Sequence, residues 1–221
     1  MLILVPRMLD QPRRIRDNGQ ERLGTPVNQE TLKELFVEQI RDLYDAEKQI
    51  TRALPKLAKA AQNEELADAL REHLEQTEGQ VSRLEQVFEI AGEKAKGKPC
   101  KGMKGLLEEG SEAVKEEEKG PMRDLAIIAG CQKVEHYEIS AYGTIRTIAE
   151  HLGMKKAIDL LQQTEDEEIE ADEKLTGIAT ELYTSEFGEE EEEEEEPEAV
   201  AAGTSIRAAG EARSRSKRKA S

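Results

Sequence analysis

The sequence predicts an all-α fold built on four long helices, and three observations carry that prediction. Ala, Leu, Glu, Lys and Gln are abundant, aromatics make up only 3% and there is no Trp, while alternating β-branched runs are few. Apolar residues recur at steps of three and four through four long segments, the signature of a 3.6-residue period. Between those segments stand breaks of the expected kind, at Gly92, through "GEKAKGKPCKGMKG", and at Gly153.

Taken in order, residues 1–28 hold Arg, Pro, Gly and Asn without a period and are expected to form a flexible extension. The first helix is expected over about 29–61, with the stripe Phe36, Ile40, Leu43, Glu47, Ile50, Leu54 and Leu57, and with a kink at Pro55. A second follows over about 64–91, with Leu66, Leu70, His73, Thr77, Gln80 or Val81, Leu84 and Phe88. The Gly- and Lys-rich break holds room for one short helix near 103–118. The third long helix is expected over 122–151 and carries Cys131, Glu135, Glu138, Tyr142, Ile145 and Ala149. The fourth, over 154–183, carries Leu161, Glu165, Glu168, Asp172, Leu175, Ala179 and Leu182. Residues 184–221 hold eight consecutive Glu and then "RSRSKRK", like-charge blocks expected to stay disordered.

Loop lengths set the topology. The first and second helices are separated by about two residues, as are the third and fourth, so each pair forms an antiparallel hairpin. About 30 residues separate the hairpins, enough to travel the length of a roughly 40 Å helix. Two helical hairpins joined by a long crossover make a ferritin-like four-helix bundle, spanning residues 29–183.

The formal net charge is −16, and the chain stays acidic without its tails, which argues against nucleic-acid binding by the core. The basic end of the tail is suited to an acidic surface or nucleic acid, although a solvated tail is the favoured reading. No segment approaches the roughly 18 apolar residues of a membrane span, and "MLILVPRMLD" is too short an apolar run for a secretory signal. Two cysteines, Cys100 and Cys131, form no disulfide framework and fit reduced thiols in the cytoplasm.

Each stripe is apolar at its ends and polar near its middle. Counting from the turns places Glu138 opposite Glu168, Glu135 beside Ala171 and Asp172, and Glu47 level with residues 77–79. Buried carboxylates are costly unless cations meet them or their pKa values rise. Two divalent ions would neutralise four such charges, and oxygen-rich ligands with an imidazole suit iron, or manganese, better than a closed zinc site. The candidate metal ligands are therefore Glu47, His73, Glu135, Glu138, Glu168 and Asp172. The second helix leaves alternatives open: His73 is on the stripe but one turn off the layer, whereas Glu75 and Glu78 are nearer its height but off the stripe. Tyr142 lies near the layer, where core packing is its commoner role and donating a hydrogen bond to a ligand carboxylate, or passing an electron, are the alternatives; His136 points away from Glu135.

The phrases "LYDAEKQITRALPKLAKAA" (43–61), "EHLEQTEGQVSRLEQVF" (72–88), "VEHYEISAYGTI" (134–145) and "DEEIEADEKLT" (166–176) resemble the YciE/YciF family of ferritin-like proteins. The resemblance implies a ferritin-like bundle, a homodimer, a di-iron or other dimetal centre and a bacterial stress-associated role. Within it Glu47, His73, Glu135, Glu138, Glu168 and Asp172 match family positions. It departs from the wider ferritin-like pattern in one respect, because no histidine here has a Glu three residues before it. Two functions remain in view: oxidation chemistry on Fe(II), O2 or peroxide at a dimetal centre, and a non-enzymatic bundle whose polar layer is structural and which acts through protein partners. Storage in a large cage is the weaker expectation.

Overall fold

The computed structural model describes residues 28–188, and the greater part of both predicted tails lies outside them. Five helices follow in order: α1 (Gln29–Ala60), α2 (Glu64–Ala91), α3 (Lys101–Glu116), α4 (Pro121–His151) and α5 (Lys155–Phe187). The expected all-α class and the short crossover helix are both present.

Local chemistry explains the boundaries. Asn28 caps α1 by accepting from the Thr31 amide at 2.8 Å, and Asn63 caps α2 by accepting from Leu66 N at 2.9 Å. Gly92 ends α2 with φ 76°, and Gly153 turns α4 into α5 with φ 70°, both in the left-handed region open to glycine. Pro121 opens α4 at its first turn, where a missing N–H costs nothing. The α1 assignment runs through Pro55 to Ala60, five residues beyond it. The α5 assignment runs four residues past its expected end, to Phe187.

Around the bundle α1 packs on α2, α2 on α5, α5 on α4 and α4 on α1, while α3 lies across α1 and α4. Gln29 Nε2 reaches the carbonyl of His151 at 3.4 Å, so the start of α1 meets the end of α4. At the other end both carboxylate oxygens of Asp124 accept from the backbone amides of Gln62 and Asn63, each at 2.8 Å. Thus α1 and α4 are antiparallel, and the order is up, down, down, up. This arrangement obliges the 92–120 connection to climb the bundle.

The climbing segment is tied to α1. Lys98 N donates to Arg41 O at 3.0 Å, and Cys100 N donates to Asp45 Oδ2 at 2.8 Å. Gln49 Nε2 holds both Asp45 Oδ2, at 2.7 Å, and the Cys100 carbonyl, at 3.0 Å. Gly102 lets α3 approach α4, since a Cβ there would stand 3.0 Å from the Tyr137 ring. The Tyr137 hydroxyl lies 3.0 Å from Cys100 Sγ and donates to Asp42 at 2.8 Å.

The core has two apolar halves. One, near the α1–α2 turn, centres on Ile50, Leu54, Leu66, Met103, Ile128 and Leu175. The other, near His151, centres on Phe36, Ile40, Leu84, Phe88, Ile145 and Leu161. The polar residues of all four long helices lie between them.

Candidate metal centre

Four helices supply the polar layer: Glu47 from α1, His73, Thr77 and Gln80 from α2, Glu135 and Glu138 from α4, and Glu168 from α5, all buried. One possible ligand atom from each of His73, Glu135, Glu138 and Glu168 lies within 4.8 Å of the other three. His73 Nε2 is 3.5 Å from Glu135 Oε2 and 3.7 Å from Glu168 Oε2. Glu47 joins from α1, close enough to Glu138 for each carboxyl to act on the other.

Neighbours orient these groups. Tyr142 donates its hydroxyl to Glu47 Oε1, and Gln80 donates its amide to Glu168 Oε1. His73 Nδ1 lies 3.3 Å from Gln76 Oε1, an acceptor, which orients the ring and turns Nε2 toward the carboxylates. Arg83 pairs with Glu167 and donates to Thr164 Oγ1 at 2.9 Å, placing a cation behind the α2–α5 side of the layer.

The electrostatics follow from burial. Loss of water is the main cause that raises the carboxyls of Glu47, Glu138 and Glu168 well above the ordinary range, and it pushes Glu135 up to about 7. Negative neighbours add to this: Glu168 acts on Glu47, and Glu47 acts on Glu138 and Glu135. The His73 side chain offsets part of the rise at Glu168. The four carboxyls also act on one another, Glu138 with Glu47 and Glu168 with Glu135.

Six buried side-chain atoms in this layer still have no hydrogen-bond partner: Glu47 Oε2, His73 Nε2, Gln80 Oε1, Glu135 Oε2, Glu138 Oε1 and Glu168 Oε2. Buried polar atoms are ordinarily paired, so such a concentration is unusual. Carboxylate oxygens and a neutral imidazole nitrogen are the donor set of iron and manganese. The residues present therefore fit a metal centre.

Of the residues singled out from sequence, Glu47, His73, Glu135, Glu138 and Glu168 are brought together. Asp172 is not. It is held by Gln132 Nε2 at 3.2 Å and lies 3.5 Å from His136 Nε2, toward the surface. On the second helix His73 is buried in the layer, whereas Glu75 and Glu78 are exposed. Asp124 escaped sequence reading altogether, because its partners are backbone amides some 60 positions away, a relation without a periodic signal.

A bundle of two helical hairpins with carboxylates and an imidazole projecting into its middle belongs to the ferritin-like class. The chain is a member of the family described as Domain of unknown function (DUF892), which it matches over residues 31–187. It is 49% identical to Protein YciF of Escherichia coli strain K12 over 154 residues, covering 69% of this chain and 93% of that protein. The crystal structure of the E. coli stress protein YciF superposes with a TM-score of 0.67 at 47% identity, over 69% of this chain and 97% of that one. YcfI from Rhodopseudomonas palustris gives 0.64 at 41% identity, over 68% and 96%. These relatives bear out the resemblance to the YciE/YciF family. No helix among the described residues is long and apolar enough to cross a membrane.

Proposed function

We propose that this is a ferritin-like dimetal protein in which Glu47, His73, Glu135, Glu138 and Glu168 hold two iron ions, with manganese as the alternative. The observation that carries the reading is the convergence, from four helices, of five buried ligand-type atoms without partners. When bound, such a pair supplies redox chemistry, the oxidation of Fe(II) by O2 or peroxide. The chain's own part is positioning and proton management. Tyr142 and Gln80 each occupy one carboxylate oxygen, of Glu47 and Glu168, and leave the other aimed inward. Because burial raises the carboxyls of Glu138 and Glu168, any protons they hold would leave on ligation, since a ligating carboxylate is ionised. The two apolar halves close the layer from both ends of the bundle. Asp172, committed to Gln132 and His136, is not assigned as a ligand.

The E. coli relative is called a stress protein, which supports placing this chemistry in a stress response. Two buried free thiols suit a cytoplasmic setting, and a homodimer is the assembly that the family resemblance implies.

The test is metal content by mass spectrometry of protein purified without chelators, beside the Glu138→Gln/Glu168→Gln variant. The expected result is about two Fe or Mn per chain, lost in the variant. Absence of stoichiometric metal, even after anaerobic Fe(II) addition, would overturn the reading and leave the layer as a hydrogen-bonded network that fixes helix register.

A further inference from the structure

Between α2 and α5 a cavity of about 210 Å3 runs inward from the surface. Its lip carries the exposed side chains of Glu72, Glu170 and Lys174, and its floor is made by His73 and Glu135. The floor residues are buried, and their Nε2 and Oε2 atoms have no hydrogen-bond partner. We propose that this cavity is the entry vestibule through which a hydrated divalent cation reaches the centre, an inference that rests on the dimetal reading above.

Size, charge and depth support it. A liquid water occupies about 30 Å3, so the cavity has room for roughly seven, about an ion with six waters. Glu72 and Glu170 give the lip the sign that attracts a cation. His73 and Glu135 are the first donors such an ion meets, and Glu138 and Glu168 stand next to them within the same ligand group. A second, larger cavity of about 560 Å3 lies between α3 and the bundle, but it touches none of the layer's carboxylates.

The mouth has a bar across it. Lys174 Nζ on α5 reaches Glu72 Oε2 on α2 at 2.5 Å, with both side chains substantially exposed. An exposed pair of this kind is weak and opens readily, yet while closed it sets a positive charge in the path of an incoming cation. Ala171, half-exposed on the α5 wall, leaves the space beside it clear.

The experiment is stopped-flow mixing of the metal-free full chain with Co(II), read by the growth of Co(II) visible absorption. Final metal content is measured by mass spectrometry. Ala171→Trp narrows the vestibule without replacing any proposed ligand and is expected to slow loading by about tenfold or more at unchanged final stoichiometry. Lys174→Ala removes the bar and is expected to load several-fold faster. Loading of Ala171→Trp at the wild-type rate would overturn the vestibule while leaving the dimetal centre standing. Failure of the wild-type chain to bind Co(II) at all would overturn both. Should Ala171→Trp not fold, the exposed Lys174→Ala variant decides alone, and a rate equal to or below wild type sinks the proposal.

Discussion

Raising the pH on metal-free protein loads charge directly into the buried layer. Glu47, Glu135, Glu138 and Glu168 all have carboxyls raised by burial, so the folded chain holds protons that the unfolded chain has released. Stability gained from such groups is complete below the ordinary carboxylate range and is lost as pH rises through the folded-state values. For Glu135 the folded value is about 7 against 4.5. That difference is worth about 3 kcal/mol, lost between about pH 4.5 and 7.5. The other three act in the same direction. In a domain of this size about 3 kcal/mol corresponds to a fall of roughly 6–12 °C in Tm. Glu38 and Glu72, lowered by their lysine partners, act in the opposite sense, but their window lies below 4.5. The assay is thermal unfolding by circular dichroism in chelator from pH 5 to 8, with Glu138→Gln as the partner variant. Wild-type Tm should fall with pH, and the variant should show a shallower slope. A Tm that stays flat or rises over that interval would refute the reasoning. Added Fe(II) or Mn(II) should reverse the trend, because protons compete with metal for the same oxygens.

Other outcomes follow from single contacts. Tyr142→Phe removes the donor to Glu47 Oε1 and should cost about 1–3 kcal/mol in the metal-free protein, read as a lower denaturation midpoint with the helical spectrum unchanged. Asp124→Ala strips the Gln62 and Asn63 amides of their acceptors, and should cost about 2–4 kcal/mol by urea unfolding, more than any single exposed ion pair removed for comparison. Burial raises both thiols, of Cys100 and of Cys131, so neither should react with a thiol-specific disulfide reagent at pH 8 until denaturant is added; rapid labelling of the folded chain would contradict their placement.

The helices and their pairing were legible because periodicity and loop length act locally. Glu47, Glu135, Glu138 and Glu168 were legible for the same reason, each standing where its stripe calls for an apolar residue. His73 showed where counting fails. It sits one turn from the height given by backbone counting, yet its imidazole reaches within 3.7 Å of Glu168, because a side chain spans distances that a count of residues omits. Asp172 departs from its count in the opposite way. It occupies the stripe one turn after Glu168, but Gln132 and His136 of α4 draw its carboxylate outward, and those partners come from another helix. The vestibule and the Asp124 clasp depend on contacts between distant segments and left no mark in composition or period.

The up-down-down-up order has a kinetic consequence. Each hairpin closes through a turn of a few residues, so α1 with α2 and α4 with α5 can form early from local contacts. The layer cannot. Glu47 and His73 belong to one hairpin, Glu135, Glu138 and Glu168 to the other, and they meet only after the 92–120 segment has closed its loop and the two hairpins have docked. The last event in folding is therefore the one that completes the ligand set. Under the dimetal reading, ion capture would report on finished assembly, because the proposed ligands meet only when the slowest long-range contacts are in place.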